Sequence, residues 1–197
     1  MKLDLIFTGI GGQGVVVLSD VFCEAAMLDG FDVAKAEIHG MAQRGGSISA
    51  HVRIGDKVPA PLIEHGTADV IVGFEILETA RALPMMKPKG NVVLNTKYIP
   101  PSSVLQGTAL PVEPEELLAM IRSKARKVYE VDGIALAQKL GNVMVVNTIL
   151  LGVVSALPDM PVKQESFKQA ISGTLKEKYI SLNLRAFQLG RESVILG

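Results

Sequence analysis

Two glycine-rich loops carry the groups in this chain that could do chemistry. The first is Gly9-Ile10-Gly11-Gly12-Gln13-Gly14, a G-x-G-x-x-G run. Glycines at that spacing let the backbone turn sharply and approach a ligand, and the amides of a following helix then offer an anion site. The second is Glu37-Ile38-His39-Gly40-Met41-Ala42-Gln43-Arg44-Gly45-Gly46-Ser47. Arg44 can hold a carboxylate or phosphate through paired hydrogen bonds, and Gly45-Gly46 let another backbone come close. The candidate binding residues are therefore Gly11, Gly12, Gln13, Gly14, Arg44, Gly45, Gly46 and Ser47. A plain structural reading stands beside each loop. The first loop then only makes a tight strand-to-helix crossing, and the second only caps strand carbonyls or packs against a partner. An acidic residue about 20 positions past such a glycine run marks a dinucleotide site, and Glu37 stands near that place. Against a nicotinamide coenzyme, Gln13 adds a polar side chain to the loop, and a second glycine loop takes the place of the adenine pocket. The P-loop ending Gly-Lys-Ser/Thr is absent.

Other reactive side chains point to structure. The 3 histidines, His39, His51 and His65, lack metal-ligand spacing with a carboxylate pair. His51 and Arg53 are expected on a solvated or partner-facing surface, and His65 in an exposed turn. The 1 cysteine, Cys23, falls between apolar neighbours in a predicted helix and reads as a small core residue. It rules out a disulfide framework and a four-cysteine metal or iron–sulfur site within the chain. No G-x-S-x-G elbow is present, so no catalytic residue is assigned.

The elements that must position these loops follow from periodicity. Leu3–Thr8 is a short apolar run ending at glycine, and Val15–Leu28 repeats its apolar residues on a helical period before Asp29-Gly30. Phe31–Ile38 is a second strand, so the chain opens as one βαβ unit with a parallel pair and a right-handed crossover. Ser47–Ile54 alternates strictly, with Ile48, Ala50, Val52 and Ile54 on one face. Gly55-Asp56 then turns into Lys57–Ile63, which is expected to pair back as an antiparallel hairpin with Pro59 and Pro61 on its edge. Further strands are predicted at Asp69–Phe74, Asn91–Asn95 and Lys127–Val131. Helices are predicted at Glu75–Met86, Pro114–Lys124, Ile134–Leu140, Val143–Leu157, Val162–Ser172 and Tyr179–Ile195, with a loop from Pro100-Pro101. The expected fold is α/β, a Rossmann-like three-layer sandwich with a mostly parallel sheet, one antiparallel hairpin and a helical C-terminal part. Residues 1–197 read as a single domain, 1–132 the α/β core and 133–197 a helical extension. Asn147, inside an otherwise apolar helix, must find partners and is expected to tie that helix to a loop or a partner chain. The last helix is apolar on two sides, which suggests burial between two bodies.

Composition narrows the function. Among 197 residues, 48 % are hydrophobic and 20 % charged, enough for a core and too little charge for disorder. Lys and Arg number 20 and Asp and Glu number 20, which argues against nucleic-acid binding by bulk charge. The N-terminal segment has no signal-peptide pattern, and the apolar run from Val143 to Leu157 is interrupted and shorter than a membrane span. A cytoplasmic protein without membrane association is expected.

Taken together, four segments resemble the gamma-domain family of 2-oxoacid:ferredoxin oxidoreductases, and within it the indolepyruvate type. They are Gly9–Val15, His39–Ser47, Ser49–Gly55, and Gly141-Asn142 with Asn147 and Leu151-Gly152. The resemblance covers essentially the whole chain. It implies oxidative decarboxylation of a 2-oxoacid, an aryl pyruvate above all, with coenzyme A (CoA), giving an acyl-CoA and reduced ferredoxin; pyruvate- and branched-chain-type relatives are the alternative. It also implies a larger alpha subunit carrying thiamine diphosphate and [4Fe-4S] clusters, with ferredoxin reached through that subunit and no cofactor bound by this chain alone. The Gly-Asp-Gly segment expected for thiamine diphosphate is missing, since Asp132-Gly133 lacks the leading glycine. The two glycine loops then line either a CoA or substrate site at the subunit boundary, or a packing surface against the partner.

Overall fold

The computed structural model describes residues 1–40 and 45–195. In chain order the elements are β1 (Lys2–Ile10), α1 (Val15–Leu28), β2 (Asp32–His39), β3 (Ser47–Gly55), β4 (Ala68–Gly73), α2 (Ile76–Ala82), β5 (Met86–Asn95), the short α3 (Ser102–Leu105), α4 (Pro114–Lys124), β6 (Lys127–Val131), α5 (Gly133–Lys139), α6 (Val146–Ser155), α7 (Gln164–Thr174) and α8 (Glu177–Ile195). Helices Val15–Leu28 and Pro114–Lys124 and strand Lys127–Val131 begin and end where periodicity and end signals place them. Val143–Leu157 does not run as one helix: Asn142 Oδ1 accepts the Met144 amide at 2.9 Å, so a 3-10 turn at Val143–Val145 precedes α6. The short α3 occupies part of the expected loop after Pro100-Pro101.

The strands form one six-stranded sheet in the order β2-β3-β1-β4-β5-β6. β3 runs antiparallel to both β1 and β2, and β1, β4, β5 and β6 are mutually parallel. This corrects two expectations. β1 and β2 do not pair, because β3 is inserted between them. Nor does Lys57–Ile63 form a strand. β3 already has β1 on one edge and β2 on the other, and Pro59 and Pro61 lack the amides a ladder needs. The segment is stapled instead: Arg53 donates to the Ala60 and Leu62 carbonyls at 3.2 and 3.1 Å, and His51 Nδ1 accepts the Ile63 amide at 3.1 Å. His51 is therefore buried rather than solvated. Arg53 also holds the fully buried Asp4 through both carboxylate oxygens, at 3.0 and 3.2 Å. Removing one partner of such a buried pair costs roughly 3–5 kcal/mol.

Helices cover both faces of the sheet. On one, α1, α6, α7 and α8 pack over Leu5, Phe7, Val70, Val72 and Val93. Four rings continue through this layer, Phe7–Phe22–Phe167–Phe187, with successive centroids 5.7, 5.7 and 5.9 Å apart. Each buried ring contributes about 1.5–3 kcal/mol by leaving water. Cys23 lies in this core, and burial pushes its thiol up to about 12. On the other face, α2 and α4 cover Ile71, Val92 and Leu94. The helices after Gly133 thus complete the layer that α1 begins. Asp29, just past the end of α1, fixes α7 by accepting the Lys163 amide at 2.6 Å and the Ser166 hydroxyl at 2.8 Å. Among the described residues no helix is long and apolar enough to cross a membrane.

Candidate functional site

All the parallel strands end at one edge of the sheet, where ligands bind in open α/β folds. β1 ends there in the first glycine loop, and β3 starts there from the second. The Gly11 amide donates to the Gly46 carbonyl at 2.9 Å and the Gly40 amide to the Ser47 carbonyl at 2.8 Å, so the two loops meet. Of the second loop's candidates, Gly45 has φ 72°, and Ser47 Oγ donates to Glu78 Oε2 at 2.5 Å. Arg44 lies outside the described residues, with Met41, Ala42 and Gln43.

In the first loop, Gly11 and Gly12 are exposed, and Gly12 has φ 101° with no atom within 4 Å of an added Cβ. Gln13 folds back over the strand ends. Its Oε1 accepts the Ile10 amide at 2.7 Å and its Nε2 donates to the Phe74 carbonyl at 3.3 Å, clasping β1 to the residue after β4. Gly14 caps α1 with φ 84°, and an added Cβ would sit 2.7 Å from Asn147 Nδ2. Asn147 thus stands at the first turn of α6 close against the loop, while its Oδ1 accepts the Thr148 amide at 2.8 Å. The amides of Val15, Val16 and Val17 open α1 without carbonyls of their own turn to bond. These residues line a hollow of about 360 Å³ bounded by the loop, Ile48, Met144 and Asn147. Of its lining residues, Val17 and Met144 stand exposed, at 42 and 73 %.

Behind this edge lies a buried polar frame that the sequence reading missed. Glu75, fully buried, caps α2 by accepting the amides of Leu77 at 3.0 Å and Glu78, and also that of Ile99 at 3.4 Å. Burial holds its carboxyl above the usual range. Asn95 donates to the Phe74 carbonyl at 2.9 Å and accepts the Gly133 amide at 3.0 Å, joining the ends of β4 and β5 to the start of α5. A Glu in a cap position carries no strong sequence signal, because Ser, Thr, Asp and Asn are the usual caps.

The frame also answers which cofactors these residues suit. Asp132 Oδ1 accepts the Ala135 amide at 2.9 Å and the Gly133 amide is bonded to Asn95, so neither offers itself to a diphosphate. The single thiol is buried, and among the described residues no cluster of His, Cys, Asp or Glu could hold a metal. Among the described residues, therefore, Asp132-Gly133 is not free to take a diphosphate and no side-chain cluster offers ligands to an iron–sulfur centre. Glu37 fails the dinucleotide reading as well. With β3 interposed it stands two strand spacings, roughly 10 Å, from β1. It pairs instead with Lys35 at 2.8 Å and His39 at 3.0 Å.

Comparison with known proteins agrees with this architecture. The indolepyruvate oxidoreductase subunit IorB of Archaeoglobus fulgidus is 40 % identical over 197 residues, spanning 100 % of this chain and 98 % of that one. The common gamma subunit of the pyruvate/ketoisovalerate oxidoreductases of Thermococcus litoralis is 28 % identical over 196 residues, covering 98 % of each. The crystal structure of a keto/oxoacid ferredoxin oxidoreductase gamma subunit from Geobacter sulfurreducens superposes with a TM-score of 0.73 at 24 % identity, over 99 % of both chains. The sequence profile of the pyruvate ferredoxin/flavodoxin oxidoreductase family matches residues 4–193. The chain belongs to that family, as a small subunit of a 2-oxoacid:ferredoxin oxidoreductase.

Proposed function

We propose that this chain is the smaller subunit of a cytoplasmic indolepyruvate-type enzyme. Its complex converts an aryl pyruvate and coenzyme A to aryl-acetyl-CoA and carbon dioxide, and passes the electron pair to ferredoxin. A larger alpha subunit carries the thiamine diphosphate and the [4Fe-4S] clusters and meets ferredoxin. The observation that carries this reading is the gradient of similarity: 40 % identity to the indolepyruvate subunit over the full length, against 28 % to the pyruvate/ketoisovalerate gamma subunit. The test is anaerobic co-purification of the tagged chain with its partner. A cysteine-rich larger chain with iron–sulfur absorbance should co-elute, and kcat/KM should favour indolepyruvate over pyruvate and 2-oxoisovalerate. A colourless chain that elutes alone, or a preference for pyruvate, overturns it.

In this reading the two glycine loops form the edge presented to the larger subunit. The exposed Val17 and Met144 beside Gly11 and Gly12 support that role, since grouped apolar residues at the surface mark contact sites. The open amides of Val15 to Val17 favour a second role for the same edge, in which it also takes a CoA phosphate or substrate carboxylate together with Arg44. Replacing Arg44 by Ala separates the two. A raised KM for one substrate in an intact complex supports the ligand role. An unchanged KM with weakened assembly supports the docking role alone.

A further inference from the structure

The glycine loops leave one polar cleft unused. It opens on the sheet face opposite α1, has a volume of about 400 Å³, and is bounded by α2 on one side and the Leu62–His65 segment on another. Its floor is polar where a sheet face is ordinarily apolar. Thr8 on β1 is the direct cross-strand neighbour of Ser49 on β3, and His51 follows two residues along, opposite Ile6. Thr8 and His51 are only 3 and 5 % exposed. His51 Nδ1 accepts the Ile63 amide, so its proton sits on Nε2 as a donor. Burial pushes the ring's pKa below its usual value. Among the described residues the Thr8 and Ser49 hydroxyls and His51 Nε2 have no bonding partner. All three residues line the cleft.

The rim has the opposite character. Ile38, paired with Ser49 across β2 and β3, is 47 % exposed, and Leu62 on the far side is 56 % exposed. The one carboxylate in the wall is already satisfied. Glu78 accepts Ser47 Oγ at 2.5 Å and Arg81 at 2.6 Å, which offsets its charge and leaves the remaining guanidinium donors of Arg81 beside the cleft. Three convergent donors beneath an apolar rim, with no free negative charge, suit a ligand with an acceptor-rich head and an apolar body. We propose that this cleft binds an amphipathic monocarboxylate, with its carboxylate on Thr8, Ser49 and His51 and its body between Ile38 and Leu62. The site is built from this chain's own residues and does not depend on the indolepyruvate reading.

The experiment follows the histidine-ring NMR signals of the labelled full chain during titration with phenylacetate. Acetate serves as a head-only probe and 2-phenylethanol as a body-only probe. Saturable shifts of the His51 ring are expected with phenylacetate while the His39 ring stays unmoved, and each partial probe should bind at least about tenfold more weakly. Ser49→Ala and Thr8→Val each remove one charge-assisted hydrogen bond and should weaken phenylacetate about tenfold with unchanged melting temperature. Absence of saturation, equal binding of 2-phenylethanol, or unaltered affinity in both folded variants overturns the proposal. So does loss of binding when the larger subunit is added, since that subunit would then cover the cleft.

Discussion

Gly152 is the position where a single methyl group should do most damage. In α6 it faces α8, and a Cβ added there would lie 2.1 Å from the Phe187 carbonyl oxygen, 2.9 Å from the Arg191 amide and 3.0 Å from Gly190 Cα. Every one of these neighbours is backbone, so no rotamer change relieves the overlap. Contacts under 3.0 Å essentially do not occur, so α6 and α8 must part by about 0.9 Å or more. That movement stretches the bond from Thr148 Oγ1 to Asn183 at 2.5 Å, and those from Arg191 to the Ser155 carbonyl and hydroxyl at 2.8 Å. Overpacking costs about 1–3 kcal/mol, and each weakened hydrogen bond up to about 1 more. Alanine's better helix propensity returns about 1. The net loss in Gly152→Ala is about 2–4 kcal/mol, which for a domain of this size lowers Tm by about 5–15 °C. Circular dichroism melting of the full chain measures it. Gly173→Ala in α7 is the control, because an added Cβ there meets nothing within 4 Å, and it should hold or raise Tm. If Gly152→Ala melts at or above the parent, the close approach of α6 and α8 is wrong.

Gly14→Ala forces a left-handed residue onto alanine, at about 1–2 kcal/mol, and drives its Cβ against Asn147. Gly14→Ala/Asn147→Ala should recover the clash but not the backbone cost, and simple additivity of the two urea-unfolding losses would show that the side chains do not touch. Cys23 should resist iodoacetamide. Taking its thiol from 9.0 to about 12 cuts the thiolate fraction by roughly a thousandfold, so native labelling at pH 8 as fast as that of the unfolded chain contradicts its burial. Asp29 has its carboxyl held below the usual value, because the hydrogen bonds from Lys163 and Ser166 outweigh the opposing effect of burial. Its contribution is therefore full above about pH 4 and is lost as pH falls through the lowered value. Asp29→Asn should cost stability at pH 7, and the gap should close toward pH 2; a gap of constant size across that range counts against the assignment.

What the sequence made legible was local. The glycine run and the α1 and α4 boundaries follow from apolar period and end signals within a few residues, and they stand where expected. Strand order did not follow, because it depends on partners far along the chain. The alternation of Ser47–Ile54 correctly separates two faces, yet nothing in it says that β3 slots between β1 and β2. Alternation alone leaves its polar face solvated or partner-facing for the same reason. The groups that bury it, Asp4 for Arg53 and Ile63 for His51, lie 49 and 12 residues away. Asn147 was legible as a polar residue needing a partner, and only the fold identified that partner's neighbourhood as Gly14. Glu75 and Asn95 left no sequence signal, since their partners are backbone amides and carbonyls.

That hidden frame bears on what such a subunit contributes. A loop that must be ordered on binding spends conformational entropy at that moment, and affinity falls accordingly. Here the cost is met during folding. Gln13 locks the first loop to Phe74, Asn95 ties Phe74 to α5, and Glu75 holds α2 while α2's Glu78 holds Ser47 at the start of the second loop. One chain of hydrogen bonds therefore runs from each glycine loop into the buried edge. Gly73 shows how closely it is packed, since a Cβ there would sit 1.7 Å from Thr79 Oγ1, itself bonded to the Glu75 carbonyl at 2.6 Å. If this edge meets the larger subunit as proposed, the described part of it is held in place before the partner arrives. Gln13, although inside the glycine motif, spends both ends of its amide on backbone, and so fixes the path of the chain on either side of Gly11 and Gly12.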